Sequence, residues 1–154
     1  MSYANDFIES IDKPRQFWAR QSEKINWFHS PENILTQDDR GFYHWFEGGK
    51  LNTCYLALDQ HVINGHGNQP ALIYDSPVTE KKQSFTYKQL LEQTSLFAGA
   101  LAELGVGKGD RVVIYMPMVP EAVIAMLASA RLGAIHSVVF AGFSSKALAT
   151  RIND

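Results

Sequence analysis

The fold is decided by residues 111–140, which read RVVIYMPMVPEAVIAMLASARLGAIHSVVF. Residues 111–116 and 134–140 are apolar runs of strand length, and the segment between them is apolar nearly all round. Pro120 predicts the first turn of a helix and Gly133 its end, because a first turn leaves its N–H groups unpaired and glycine tolerates a left-handed cap. Two apolar strands joined by a helix of about a dozen residues predict a parallel pair with a right-handed crossover, buried on both faces.

Outward from this segment, the preceding residues also alternate strand and helix signals. Residues 71–74 and 84–86 predict two short strands separated by a polar turn. Thr86 and Gln89 have the spacing of a capping box, so a helix begins there, and Gly105 ends it. The predicted fold class is therefore α/β, with a βαβα parallel-sheet portion.

Residues 1–68 differ in character and predict an aromatic-rich, partly helical N-terminal extension. We expect Asp12 to cap a helix whose first turn holds Pro14. The aromatic residues that follow have no clear periodicity, so they can pin the chain to another surface without regular elements. They are Trp27, Phe28, Phe42, Tyr43, Trp45 and Phe46. Residues 64–70 predict a loop and the boundary to a second domain, residues 69–154.

Composition and charge exclude several classes of function. The formal net charge of −2, without any run of like charge, argues against nucleic acid or an anionic membrane as a partner. Proline, glycine and charged residues interrupt the most apolar stretch, Val112–Ile135, which therefore predicts no membrane span. Residues 1–25 lack the pattern of a signal peptide. Cys54 is the single cysteine, which excludes an internal disulfide and suits a reducing compartment, so we expect a cytoplasmic protein.

One edge of the predicted sheet is a candidate ligand site. In open parallel sheets ligands collect beyond the carboxyl ends of the strands, which selects residues 117–119 and 141–144. Gly142 has no Cβ, so a ligand or another backbone can approach it closely. The helix expected after Ser144 would direct its free N–H groups to the same edge, which favours an anion. An ordinary strand-to-helix turn has the same pattern and, on this pattern alone, is the commoner interpretation.

The remaining polar residues form no recognisable catalytic group. Residues 105–110 are rich in glycine, but they follow a helix and precede a strand, the reverse of a phosphate-binding loop. His136 lies within an apolar strand, where a hydrogen-bonded core histidine is expected. Cys54 has no basic neighbour in sequence and predicts a packed thiol. We therefore expect neither catalytic residues nor a metal site in this chain.

Three stretches of the chain, taken in order, form a recognisable pattern. They are WFEGGKLN at residues 45–52 with LDQH at 58–61, GDRVVIYMPMVPE at 109–121, and HSVVFAGFS at 136–144 followed by Ala147-Leu148 and Arg151-Ile152. This pattern resembles the AMP-forming acetyl- and propionyl-CoA synthetases, which are acyl-adenylate-forming enzymes. The chain departs from the family pattern at Leu56, Gln60 and Ala141, where the family usually has asparagine, arginine and glycine.

The resemblance implies that the chain is the first part of the large N-terminal domain of an acid–thiol ligase. Such enzymes join acetate or propionate to CoA through an acyl-adenylate made from ATP with Mg²⁺. Phe140, Ala141 and Gly142 would line the channel for the pantetheine arm of CoA. The family's phosphate loop, acyl pocket and catalytic lysine lie beyond residue 154. This chain alone is therefore expected to be inactive and to hold no cofactor tightly, and the choice between acetate and propionate stays open.

Under this interpretation the chain is an N-terminal fragment with an exposed sheet edge and an apolar patch, and we expect it to self-associate or to be marginally stable. Two other interpretations stay open. A stand-alone CoA- or partner-binding α/β module without catalysis would bind CoA by itself. A structural or regulatory domain would dock on a partner through Trp45 and Phe46.

Overall fold

The computed structural model describes residues 2–153, while Met1 and Asp154, the last residue of the predicted second domain, lie outside the described residues. Backbone contacts divide the chain into two compact units, with the division between Leu51 and Asn52. The domain boundary that the sequence predicts near residue 68 stays a prediction. Within residues 2–153, no helix has both the length and the apolar composition that crossing a membrane requires.

The first unit consists of two helices and a hairpin: α1 (Tyr3–Asp12), α2 (Pro14–Ser22), β1 (Asn33–Gln37) and β2 (Tyr43–Glu47). Pro14 occupies the first turn of α2, as predicted. The predicted cap at Asp12 is wrong, because Asp12 is the last residue of α1 and Lys13 precedes α2 without any side-chain cap.

An antiparallel hairpin corrects the expectation that the aromatic region has no regular elements. Its loop is held by the carboxylate of Asp38, which accepts hydrogen bonds from the backbone N–H groups of Arg40 and Phe42 at 3.0 and 2.9 Å. The aromatic rings of this unit pack against one another, with Trp18 edge-on to Trp45 at 5.9 Å. The hairpin is therefore stabilised by ring contacts in place of an alternating aliphatic pattern.

The second unit opens with a helical stretch over residues 53–66 that contains two π-helical segments, π1 (Tyr55–Asp59) and π2 (Val62–His66). The loop predicted from residue 64 is therefore wrong up to His66. Gly65 has a φ of 85°, which breaks the helical geometry there and explains the glycine-rich signal. Cys54, Leu58 and Leu90 are buried together at the centre of this unit.

Strands β3 (Pro70–Ser76) and β4 (Lys81–Thr86) pair antiparallel and lead into helix α3 (Tyr87–Glu103). The predicted capping box is confirmed. The backbone N–H of Gln89 donates to Thr86 Oγ1 at 3.2 Å, and the backbone N–H of Thr86 donates to Gln89 Oε1 at 2.9 Å. Helix α3 therefore begins where local hydrogen-bond chemistry requires it to.

The decisive segment folds as predicted into β5 (Arg111–Met116), α4 (Pro120–Leu132) and β6 (Ile135–Phe140), and α5 (Ser145–Asn153) follows. Strands β5 and β6 are parallel, with Arg111 opposite Ile135 and Met116 opposite Phe140. Gly133 ends α4 with a φ of 74°, the left-handed cap that the sequence predicts. The α/β fold class is confirmed.

Burial of the parallel strands differs from the prediction. In β6 only Val139 is buried, and His136 is exposed, so the expected core histidine is wrong. Within the described residues β6 pairs with β5 alone, so most of its side chains remain accessible. The expected exposed edge and apolar patch are present, with Ile135, Val138 and Phe140 all exposed.

Candidate functional site

The carboxyl ends of β5 and β6 form one edge of the sheet. Met116 and Phe140 are Cα partners in the register, so the loops that follow them, residues 117–119 and 141–144, leave the sheet side by side. Open α/β sheets bind ligands at this edge, and the sequence analysis predicted a ligand site at the same edge.

An apolar cavity of about 450 Å³ opens at this edge. Phe140 contributes to its wall, whereas Ala141 and Gly142 do not line it, so the three predicted residues are contiguous but face different surroundings. Among the lining residues Asp75 alone is charged, and three methionines, Met116, Met118 and Met126, give the cavity an adaptable wall. The lining residues are Leu72, Ile73, Tyr74, Asp75, Met116, Pro117, Met118, Val119, Pro120, Ala122, Val123, Met126, Val138 and Phe140.

The turn Phe140–Phe143 closes β6 and carries all three predicted residues. The backbone N–H of Phe143 donates to the carbonyl oxygen of Phe140 at 3.1 Å. From the neighbouring strand, the hydroxyl oxygen of Tyr115 lies 2.9 Å from the carbonyl oxygen of Ala141 and 2.7 Å from that of Phe143. One side chain of β5 therefore holds the turn that follows β6.

A side chain at position 142 would collide with the Phe140 ring as the turn now packs. A Cβ placed on Gly142 would lie 2.7 Å from Cε1 of the Phe140 ring, far inside van der Waals contact. Any side chain at position 142 must therefore displace that ring. The sequence suggested that Gly142 admits a ligand, and the structure identifies the Phe140 ring as the group that fills the space beside it.

Helix α5 begins directly after the turn. The hydroxyl of Ser144 accepts a hydrogen bond from the N–H of Ala147 at 3.3 Å, so Ser144 caps this helix. Arg151 lies in the last turn of α5, and its guanidinium is 5.0 Å from the centre of the Phe143 ring, which is a cation–π contact. The edge therefore combines an apolar wall with a cation and a helix N-terminus, a combination that suits a ligand with both an apolar arm and negative charge.

A second cluster, which sequence reasoning missed, ties π1 to the end of α4. Arg131 donates two hydrogen bonds to the carboxylate of Asp59, at 2.8 and 3.0 Å, and approaches Cys54 Sγ at 3.7 Å. Asn52 Nδ2 donates to the carbonyl oxygens of Ala130 and Arg131 at 3.1 and 3.0 Å, which satisfies two backbone groups at the end of α4. Two signals were available in the sequence, because Asn52 and Asp59 both lie in the first stretch of the family pattern, residues 45–52 and 58–61.

Within this cluster Cys54 is fully buried, as the packed-thiol prediction requires. Burial raises the pKa of its thiol, and the hydrogen bond from Arg131 opposes that rise only in part. The pKa of Arg131 is in turn raised, mainly by its hydrogen bonds to Asp59. The cysteine is therefore a neutral core residue, and the charges of Asp59 and Arg131 are paired with each other.

Two family models match adjoining parts of the chain. The model described as AMP-binding enzyme matches residues 59–154, and the model described as acetyl-coenzyme A synthetase N-terminus matches residues 3–57. Among solved structures, an acetoacetyl-CoA synthetase from Streptomyces lividans superposes with a TM-score of 0.85 at 28% sequence identity, covering 99% of this chain and 24% of that one. That likeness confirms the architecture of the described residues.

Curated relatives are similar along most of the chain. An acyl-CoA synthetase short-chain family member 3, mitochondrial, from Bos taurus is 50% identical over 98% of this chain and 22% of its own length. An acetyl-coenzyme A synthetase from Streptomyces coelicolor is 50% identical over 90% of this chain and 21% of its own length. The chain thus spans less than a quarter of the length of these relatives.

Proposed function

The chain belongs to the AMP-forming acyl-CoA synthetases, a family of AMP-binding enzymes, and on that premise we propose that the whole protein is an acid–thiol ligase for acetate or propionate. In the first step a carboxylate oxygen attacks the α-phosphorus of ATP, and pyrophosphate leaves. In the second step the CoA sulfur attacks the acyl carbon, the bond from that carbon to AMP breaks, and the thiol proton is released.

The contribution proposed for this chain is one wall of the passage for the pantetheine arm of CoA, formed by Phe140, Ala141 and Gly142. The observation that carries the proposal is the position of their turn, at the carboxyl edge of the parallel pair and beside an apolar cavity of about 450 Å³. Acyl-adenylates hydrolyse readily, so a passage to the acyl carbon must exclude water, and apolar walls serve that purpose. The cation of Arg151 near the same turn suits the negative charge of CoA.

The groups that bind ATP and transfer the acyl moiety are proposed to lie in other parts of the whole protein. Within the described residues, no three or more His, Cys, Asp or Glu side chains converge in a way that could hold a metal ion. We propose that this chain serves the thioester-forming step and that the cytoplasm is its compartment, which is compatible with one buried, unpaired Cys54.

Substrate choice is proposed only as far as short carboxylic acids. The Bos taurus and Streptomyces coelicolor relatives are both 50% identical to this chain, so sequence identity does not separate their substrates. Acetate and propionate differ by one methylene, which an apolar pocket discriminates by roughly 10- to 200-fold. A direct comparison of the two acids is therefore informative.

The test is acid-dependent exchange of labelled pyrophosphate into ATP, catalysed by the whole protein without CoA. Acetate or propionate should support exchange, and CoA should then convert the adenylate to thioester with release of one AMP for each thioester formed. Benzoate and octanoate are the controls for acid length and shape. Failure of every short acid to support exchange, with the protein folded, would refute the proposed function.

A further inference from the structure

The hydroxyl of Tyr115 makes an unusual long-range contact at this edge. Tyr115 lies on β5, yet its hydroxyl oxygen reaches two carbonyl oxygens of the turn after β6, 26 and 28 positions further along the chain. Both distances, 2.9 and 2.7 Å, lie within the usual range for an O–H···O hydrogen bond. The single hydroxyl hydrogen can point to either oxygen, so the contact with the turn persists whichever carbonyl accepts.

Besides this contact, the turn has one internal backbone hydrogen bond and an edge-on contact between the rings of Phe140 and Phe143, whose centres are 6.5 Å apart. Its internal backbone bond joins Phe143 to Phe140, and Gly142 brings no side chain that could fix the backbone. Arg151 contacts the ring of Phe143 but donates no hydrogen bond to the turn within the described residues. Loss of the Tyr115 hydroxyl would therefore remove a side-chain hydrogen bond that joins the backbone of Ala141–Phe143 to β5.

The position of the Phe140 ring depends on the same backbone. The ring fills the space beside Gly142 and contributes to the wall of the apolar cavity. Phe140 is the first residue of the turn and its ring lies beside position 142, so a displacement of the turn also moves the ring. Control of the turn is therefore also control of this wall.

We propose that Tyr115 is a positioning residue for CoA: its hydroxyl holds the turn Phe140–Phe143 so that the Phe140 ring, which lies beside Gly142, presents a fixed wall to the pantetheine arm. This inference rests on the proposed function and deepens it. Tyr115 acts through the turn and takes no part in adenylate formation, so its contribution is confined to the second half of the reaction.

The test compares Tyr115→Phe with wild type in the whole protein. The variant keeps the ring and loses the hydroxyl, and we expect KM for CoA to rise about two- to fivefold, since one partly exposed hydrogen bond is lost. The rate of acid-dependent pyrophosphate exchange should stay within twofold of wild type. Tyr87→Phe, in a ring that stacks on His61 at 4.5 Å, is the matched control and should change neither quantity.

Two kinetic outcomes would overturn the inference. An unchanged KM for CoA in Tyr115→Phe shows that the hydroxyl does not position the wall. Equal losses in pyrophosphate exchange and in CoA-dependent turnover indicate general damage to the fold, which a positioning role does not produce. Tyr115→Leu, which removes ring and hydroxyl together, should raise KM for CoA at least as much as Tyr115→Phe.

Hydrogen exchange separates failure of this inference from failure of the proposed function. In Tyr115→Phe, the amide of Phe143 should exchange at least threefold faster than in wild type, whether or not the protein is a ligase. Faster exchange in a protein that fails the pyrophosphate assay would retain the contact but refute its role in CoA binding. Unchanged exchange would refute the contact itself.

Discussion

Arg131→Met tests the cluster that joins π1 to α4. The variant keeps much of the aliphatic volume of Arg131 and removes its charge, which leaves the Asp59 carboxylate without the two hydrogen bonds it accepts at 2.8 and 3.0 Å. The two side chains are 31% and 17% exposed, so the pair lies between a surface pair and a fully buried one. Surface pairs contribute about 0–1 kcal/mol and breaking a buried pair costs about 3–5 kcal/mol, so we expect a loss of about 2 kcal/mol.

Urea denaturation of the chain, followed by circular dichroism at the helix band, measures this loss. A loss of about 2 kcal/mol should lower the midpoint by roughly 1 M for a unit of this size. Tryptophan fluorescence is unsuitable for this purpose, because all three tryptophans lie in the first unit. Asp59→Asn and the double variant complete a thermodynamic cycle, in which the two single losses should fail to add by about 1 kcal/mol or more.

Lys82→Met is the matched control for the loss of an ion pair. Lys82 Nζ and Asp75 Oδ2 are 2.7 Å apart, about as close as Arg131 and Asp59, but the two side chains are 79% and 56% exposed. Their separation should therefore cost at most about 0.5 kcal/mol. Equal losses of unfolding free energy in Arg131→Met and Lys82→Met, or a cycle whose single losses add, would refute the reasoning that burial strengthens the Arg131–Asp59 interaction.

Three further predictions concern other parts of the chain. Burial raises the pKa of the Cys54 thiol, so a disulfide reagent at neutral pH should modify it at least about 100-fold more slowly in the folded chain than in urea, and rapid reaction of the folded chain would contradict this. The backbone hydrogen bond from Phe42 holds the pKa of Asp38 below its usual value of 3.8. The Asp38 carboxylate therefore stabilises the hairpin fully above pH 3.8, and this stabilisation is lost as the pH falls through the lower folded pKa. A carboxyl NMR titration of Asp38 with a midpoint at or above 3.8 would contradict this prediction. Gly133→Ala should lower the free energy of unfolding by about 1 kcal/mol, because φ is 74° at this position. Gly99→Ala, in a helix with open space around the residue, should raise the free energy of unfolding by up to about 1 kcal/mol. Urea midpoints of the two variants that move in the same direction would contradict the argument from backbone strain.

The central part of the fold was predictable because its signals are local. Pro120 and Gly133 mark the two ends of α4, and the apolar runs on either side give β5 and β6. Thr86 and Gln89 likewise fix the start of α3 through bonds between near neighbours. Each of these signals acts over a few residues, so no knowledge of tertiary contacts is needed to interpret it.

The features that were missed depend on contacts between distant residues. The hairpin in the first unit is supported by ring contacts such as that between Trp18 and Trp45, which no period in the sequence reveals. Asp59 and Arg131 are separated by 72 positions, and each in isolation resembles an ordinary solvated charge. The exposure of His136 follows from how many neighbours β6 has in the sheet, which its own composition does not indicate.

The candidate site likewise has some features that the sequence predicts and others that only the structure shows. The edge itself follows from strand order and direction, and so residues 117–119 and 141–144 were found from the sequence. The closed space between Gly142 and the Phe140 ring, and the hydroxyl of Tyr115 on the turn, are visible only in three dimensions.

Gly142→Ala in the whole protein tests the proposed CoA wall most directly. The new methyl group would lie 2.7 Å from the present position of the Phe140 ring, so the ring must move while the rest of the edge is unchanged. We expect KM for CoA to rise roughly fivefold or more, with acid-dependent pyrophosphate exchange within twofold of wild type. Gly99→Ala, whose added methyl group meets nothing within 4 Å, should leave both quantities unchanged. An unaltered KM for CoA in Gly142→Ala would contradict a role for this turn in the second step.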